Sequence, residues 1–383
     1  MLYAMNAEGE LYSLYQRTLK EVDSLRMSLY FCPVCNEPLQ VRAGPKTIPH
    51  FSHFPKSDCT FKQRGETVEH EKGKWALYQW LKGQGYQVQL EYYLPQIKQR
   101  PDLWLNVKNK KIAIEFQCAS IPPHEINKRT LCYRKAEVFP LWILGTKHFH
   151  KSNPHQIFLN DFSRTFLYYW KEQYQLFFFE ASQSRFILVS NIHSTGLRPI
   201  HADIRYVPLS EFSFSQLFRP HRHHVSNERL FLEIEKSWYK NRTVYQRKVG
   251  SEEQNYRQYL YLKGYHFSLI PSICYLPLPG QVQLGTKPYI WQTRLFVDHL
   301  LHLPIGAPVK FPPLNISPTL NGYVPDLSGQ YINMLTQLNI IEKTGENNYI
   351  KKKQVLFHTR MEDALEDDLQ MLHKLKKLQR IKI

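Results

Sequence analysis

The chain has 383 residues, 43% hydrophobic and 14% aromatic, with a net charge of +17 and a pI near 9.4. These values exclude a disordered tail or a lone small module and predict two or three folded domains; the basic surplus is spread along the chain and favours a polyanionic partner, nucleic acid first. The opening residues lack the basic and apolar regions of a signal peptide, no apolar run approaches the ~20 residues of a membrane span, and six cysteines make no disulfide scaffold, so a reducing cytoplasm is the expected compartment.

Leu2–Met5 and Glu10–Tyr15 flank Asn6-Ala7-Glu8-Gly9, which predicts a hairpin. Next come Cys32-Pro33-Val34-Cys35, His50-Phe51-Ser52-His53 and Cys59. A Cys-x-x-Cys knuckle holds two thiolates within reach of one tetrahedral ion, and a later His and Cys complete a structural zinc set. His53, nearer Cys59, is the preferred third ligand, with His50 as the alternative. Four protein ligands close the site, so its expected role is structural.

A helix is predicted from Gly65 to about Lys82, ended by Gly83 and Gly85. Glu66, His70 and Lys74 recur every four residues and form one stripe. Gly73 costs this helix roughly 1 kcal/mol against alanine, which suggests close approach of another element. Gln87–Leu94 alternates as a strand. Then Pro101–Lys108 and Lys111–Gln117 read as two strands joined by a two-residue turn at Asn109-Lys110. That register pairs Lys108 with Lys111, Trp104 with Glu115 and Asp102 with Gln117. One face carries Leu103, Leu105, Val107, Ile112, Ile114 and Phe116; the other carries Asp102, Trp104, Glu115 and Gln117. Beyond Ile121-Pro122-Pro123, His124–Glu137 reads as a helix with Arg129 and Tyr133 one turn apart, and Val138–Leu144 as an apolar strand. The expected class is α/β, a mixed sheet flanked by helices with a right-handed crossover between its last two strands.

Asp102 and Glu115 on one face are hard oxygen ligands suited to Mg²⁺ or Mn²⁺, with the Phe116 carbonyl as a further ligand. Such an ion activates water and polarises a phosphodiester. Gln117 would position the nucleophile, Glu66 would bind a second ion or its water, and His70 or Lys74 would supply positive charge or a proton.

Further on, Phe162–Glu172 reads as an aromatic-rich helix, and Gln175–Glu180 with Arg185–Val189 as a second hairpin whose Phe177-Phe178-Phe179 is expected to be core, with a base-stacking platform for single-stranded DNA as the alternative. Ser194–Ser213 lacks periodicity. His221, His223 and His224 fall in a polar segment, Arg219–Asn227, read as a linker. Beyond it Glu228–Tyr239, Glu252–Leu262, Tyr289–Leu301, Gln330–Glu342 and Glu362–Ile381 read as helices, with Cys274 unpartnered. Lys351-Lys352-Lys353 is either a DNA-facing edge or a solvated run. The last helix puts Leu365, Leu369, Leu372 and Leu375 on one face, with docking on its own domain as the default. No Walker motif is present, so no ATPase is implied. The expected domains are 1–65, 66–222 and 223–383.

With Cys32-Pro33-Val34-Cys35, His50-Phe51-Ser52-His53, Glu66/His70/Lys74, Arg100-Pro101-Asp102, Glu115-Phe116-Gln117, Arg129/Tyr133 and Trp142-Ile143-Leu144 in place, the chain resembles the CoiA family of competence proteins over nearly its full length. The resemblance implies a PD-(D/E)XK, restriction-endonuclease-like core behind a zinc-finger-like N-terminal module, with a mainly helical C-terminal domain. It maps the nuclease motif onto Asp102, Glu115 and Gln117, with Gln117 standing where the superfamily usually has lysine. It implies a Mg²⁺- or Mn²⁺-dependent deoxyribonuclease with structural zinc, acting on single-stranded or branched DNA in the recombination of incoming DNA during natural transformation. RecA and other competence proteins are the implied partners. The alternative is a catalytically inactive DNA-binding accessory protein that assists recombinase loading.

Overall fold

The structure is a computed structural model that describes residues 3–14, 17–33, 35–44, 47–55, 57, 59, 68–196, 199–219 and 227–380. It divides into two compact units. One comprises Met1–His148, Phe177–Ile187 and Tyr206–Leu217; the other comprises Phe149–Leu176, Leu188–Arg205 and Phe218–Ile383.

The first unit opens with a small antiparallel sheet in the order β2-β1-β3-β4-β5, where β1 is Tyr3–Met5, β2 Leu11–Ser13, β3 Tyr30–Phe31, β4 Pro38–Gly44 and β5 Thr47–His53. Between β2 and β3 runs α1, Leu19–Leu25, started by a reciprocal capping box between Thr18 and Glu21. Leu14, Val22, Tyr30 and Phe51 pack with Cys32 and Cys59 as its core.

The larger sheet of this unit follows. Its helices and strands are α2 (Val68–Gly83), β6 (Val88–Leu90), β7 (Leu103–Val107), β8 (Lys110–Gln117), α3 (Pro123–Lys135) and β9 (Val138–Gly145). β6, β7 and β8 are antiparallel neighbours, and β8 pairs parallel with β9 after the α3 crossover. The hairpin register differs from expectation by two residues. Val107 pairs with Lys110, so the turn is Lys108-Asn109, with φ of +46° and +65°. That is the left-handed pair a tight hairpin turn requires, and Lys108 accepts it despite its Cβ. A slip of two preserves the facial sorting but changes the partners. Trp104 now faces Ala113, and continuing the register sets Asp102 across from Glu115. The predicted strand Gln87–Leu94 stops at Leu90 because Glu91 takes φ +51° and gives its N–H to the Asp102 carbonyl at 3.0 Å.

Ile112, Ala113, Ile114, Glu115 and Phe116 are all buried, so β8 is covered on both faces. On one face α2 comes close enough that a Cβ on Gly73 would lie 2.1 Å from Phe116 Cε1. From the other face the α3 side chains Arg129 and Tyr133 reach Glu115.

In the remaining strands, β10 (Lys151–Asn153) and β11 (Gln156–Phe158) precede a four-residue helix, α4 (Asp161–Arg164), then β12 (Tyr168–Trp170), β13 (Gln173–Glu180), β14 (Arg185–His193) and β15 (Pro199–Pro208). The expected helix Phe162–Glu172 is therefore mostly absent. Tyr168-Tyr169-Trp170 favours strand, and Lys171-Glu172, both at positive φ, turn the chain back onto β13. The stretch without periodicity contains β15. Phe177, Phe178 and Phe179 are core, and β13 pairs parallel with β9 through Phe178 and Phe179.

The C-terminal region holds α5 (Asn227–Thr243), α6 (Ser251–Leu262), α7 (Pro288–His299), α8 (Leu327–Gln337), a short hairpin of β16 (Ile341–Lys343) and β17 (Tyr349–Lys351), and α9 (Met361–Arg380). Trp238, Tyr256, Phe296, Tyr331 and Leu372 lie in its core. α9 docks on α5 through a buried, bidentate pair from Arg242 to Asp368, at 2.5 and 2.6 Å. Its buried face is Ala364, Asp368, Met371, Leu372 and Leu375, whereas Leu369 is exposed. Lys351 is not at a DNA-facing edge. It is buried and donates to the carbonyls of Leu300, Leu301 and Leu303 at 2.9, 3.1 and 2.6 Å, which caps the end of α7. Among the described residues no helix is long and apolar enough to cross a membrane.

Candidate metal centre and nuclease-like site

Cys32 leaves β3 in a tight turn, with its N–H on the Glu37 carbonyl at 2.8 Å and Asn36 at φ +57° returning the chain to β4. This turn brings Cys35 back beside Cys32. β5 pairs with β4 so that His53 sits opposite Leu39, at the knuckle end, while His50 sits opposite Arg42. The donor atoms of Cys32, Cys35, His53 and Cys59 all lie within 4.8 Å of one another, and Cys35 Sγ is 3.3 Å from His53 Nε2. His50 is outside the group. Three thiols and one imidazole, with Cys32 and Cys59 buried, fit a tetrahedral zinc, whose ~2.3 Å Zn–S bonds place donors roughly 3.5–4 Å apart. The Ser57 hydroxyl ties the approach to Cys59, donating to Glu37 and accepting from the Cys59 N–H.

The second constellation lies where β7 and β8 meet α2 and α3. Asp102 Oδ2 accepts from the Phe116 N–H at 2.8 Å and lies 3.2 Å from His70 Nε2. The His70 ring stacks on Phe116, with centroids 5.7 Å apart. Glu115 is buried. Its Oε1 accepts from the Tyr133 hydroxyl at 2.5 Å and from the Arg129 guanidinium, which also donates to Gln99 at 3.2 Å and lies over the Trp142 ring. Burial pushes the Glu115 carboxyl up to about 7, against the attraction of Arg129 and with the help of nearby Asp102. Burial also pushes the Tyr133 hydroxyl up, which keeps it a donor.

The other expected residues divide. Gln117 carries its amide to the Ala119 carbonyl at 2.5 Å. Lys74 is fully buried and its ammonium donates to Glu91 at 2.5 Å, with Arg100 on the other Glu91 oxygen at 3.5 Å. Glu66 lies outside the described residues, as do His221, His223 and His224. Arg129 and Tyr133 were legible as a one-turn pair on α3, but their role was not, because it depends on the crossover that lays α3 over Glu115. Glu91 read as a polar position of the strand Gln87–Leu94 and Arg100 as part of Arg100-Pro101-Asp102, and the Lys74–Glu91–Arg100 contacts were not legible because they form in the irregular segment between β6 and β7.

Beside Arg129 opens a cleft of about 570 Å³. Lys98, Gln99 and Arg100 line one side; His124, Lys128 and Arg129 line the other, with Glu125 the one acid. Its charge is complementary to phosphate.

Three family profiles match in succession. "Competence protein CoiA, N-terminal domain" covers residues 14–62, "Competence protein CoiA, nuclease-like domain" covers 66–222, and "Competence protein CoiA, C-terminal domain" covers 228–365. The chain belongs to the CoiA family. A curated relative, the competence protein CoiA of Bacillus subtilis (strain 168), is 25% identical over 376 residues, covering 90% of this chain and 95% of that protein. No solved structure matches it. Asp102, Glu115 and the basic cleft fall inside the CoiA nuclease-like match, and the four clustered Cys/His residues fall inside the CoiA N-terminal match.

Proposed function

We propose that this CoiA-family protein is a DNA-processing nuclease of competence, cutting phosphodiesters of incoming DNA with a divalent cation held by Asp102 and Glu115. The supporting observation is the register that faces these two carboxylates across the hairpin. The residues fit a hard cation. Both hydrogen bonds to Glu115 fall on Oε1, which leaves Oε2 to face an ion, and Asp102 is oriented through Oδ2 by the Phe116 N–H and His70. Mg²⁺ or Mn²⁺ there would supply an activated water and a polarised phosphate. Arg129 and Tyr133 hold the Glu115 carboxylate in place, and His70 holds Asp102. Lys74, committed to Glu91, acts behind the site by fixing the segment that bonds Asp102. The Cys/His cluster holds zinc and fixes the N-terminal module.

A second reading has its own support. Gln117 brings no charge and spends its amide on Ala119, as expected of a DNA-binding accessory that assists loading of a recombinase such as RecA and no longer cuts. Purified protein incubated with single-stranded, duplex and branched DNA, in Mg²⁺, Mn²⁺ or EDTA, separates the two. The nuclease reading expects metal-dependent products that EDTA abolishes. Tight binding with no product under any metal would replace it with the accessory reading.

A further inference from the structure

The 570 Å³ cleft lies between the segment that leads into Asp102 and the first turns of α3, the helix whose Arg129 also holds Glu115. The 95–102 segment supplies Lys98, held at φ +51°, and Arg100. The first turns of α3 supply His124 and Lys128, and this thirteen-residue helix begins at Pro122 without a side-chain cap. The helix therefore presents the positive end of its dipole on the same side as the cations, with the Glu125 N–H already on the Pro122 carbonyl at 3.0 Å. Arg129 is balanced by Glu115, whereas Arg100 shares Glu91 with Lys74. Lys98 and Lys128 are exposed, and among the described residues neither has an ion-pair partner. Glu125 offsets one of them at most. The cleft thus keeps uncompensated positive charge within a bounded space.

An internal phosphodiester carries one charge and is flanked by sugars on both sides. A terminal phosphate carries close to two charges on three acceptor oxygens and has a free side that can enter a cleft. Resting on the nuclease reading for what happens next to it, we propose that this cleft is an end-binding pocket for the terminal phosphate of a DNA strand. Arg129 spans the pocket and Glu115, so a strand seated by its end lays its first linkages toward the Asp102/Glu115 pair. The substrate class is then a phosphorylated strand end, and degradation proceeds inward from it.

The test uses the full chain in EDTA, where binding is read without cleavage. Fluorescence anisotropy compares one labelled single-stranded oligonucleotide carrying a 5′-phosphate, a 3′-phosphate or hydroxyls at both ends. One phosphorylated end is expected to bind about tenfold tighter than the hydroxyl-ended strand, and inorganic phosphate is expected to compete that advantage away. Lys128→Glu and Lys98→Asn, both at exposed positions, are expected to bring the three strands to within about twofold of one another. Asparagine is chosen at 98 because it tolerates positive φ. Equal affinity for all three strands, or an advantage that survives both substitutions, overturns the pocket. Asp102→Asn is expected to retain the advantage. An enzyme that cuts nothing but still prefers a phosphorylated end disproves only the nuclease reading; cleavage without end preference disproves only the pocket.

Discussion

The first unit carries two centres suited to cations, and they are built on opposite principles. The Cys/His cluster is closed, soft and local. Its four donors come from one small sheet and its turns, and it needs only the knuckle and the β4/β5 pairing to form. The Asp102/Glu115 pair is open and hard, and it depends on a hairpin register, a crossover helix and a close helix contact. A metal in the first would stabilise by cross-linking; the second holds charged groups where burial disfavours them. One centre should therefore fail by unfolding and the other by loss of chemistry.

Metal removal sharpens that contrast most. Structural zinc contributes on the order of 10 kcal/mol in small modules. Chelation, or Cys32→Ser, is expected to unfold the N-terminal module, to release about one zinc per chain measured by metal analysis, and to open that module to protease. A chelated protein with unchanged protease protection and no released zinc would remove the cluster's structural role. The next largest effect belongs to the other centre. Asp102→Ala or Glu115→Ala is expected to reduce metal-dependent cleavage by about 10³-fold or more, equivalent to ~4 kcal/mol of transition-state stabilisation, with circular dichroism unchanged. Cleavage at the wild-type rate by either variant would sink the assignment.

These two centres were also unequally legible in the sequence. Spacing alone gathers Cys32, Cys35 and Cys59, and His53 over His50 follows from which end of β5 meets the knuckle. The hairpin's facial sorting was legible too, because alternation survives a two-residue slip. Its pairing was not. Asn109-Lys110 and Lys108-Asn109 both offer a two-residue turn containing asparagine, and only the fit of β8 between its neighbours selects the second. Trp104 and Gln117 thus lost their expected partners, and Asp102 gained Glu115. The aromatic run 168–170 was misread for a related reason: helix and strand both tolerate it, and pairing with β13 decides. Lys351 shows the limit of charge reading, since a lysine run looks solvated until one member is drawn in by three carbonyls.

Gly73 offers a smaller, purely steric test. Alanine gains roughly 1 kcal/mol of helix propensity, but its Cβ would stand 2.1 Å from the Phe116 ring. So close a contact puts the overpacking cost at the upper end of the usual range, ~3 kcal/mol, which outweighs that gain. Gly73→Ala should lower the unfolding free energy by about 2 kcal/mol while leaving the Cys/His module protected from protease. Adding Phe116→Leu should recover part of the loss. A stabilised Gly73→Ala protein would mean that α2 does not pack on Phe116.

The smallest expected effect is electrostatic and is read in EDTA. Burial raises the Glu115 carboxyl from its ordinary range to about 7. The folded protein therefore holds that proton more tightly than the unfolded chain does. The stabilisation is fully present below about 4.5 and is lost as pH rises through about 7. Arg129, Tyr133 and Asp102 are the charged and polar groups facing Glu115, and of these Arg129 is the one that opposes the rise most. Arg129→Gln removes that opposition, so the upper end of the window should move to higher pH by about one unit, ~1.4 kcal/mol. Glu115→Gln should flatten the same component. Chemical denaturation from pH 4 to 9 measures both. A downward move in Arg129→Gln, or an unchanged profile in Glu115→Gln, would show that the buried carboxylate of the open centre is not carrying the cost that separates it from the closed one.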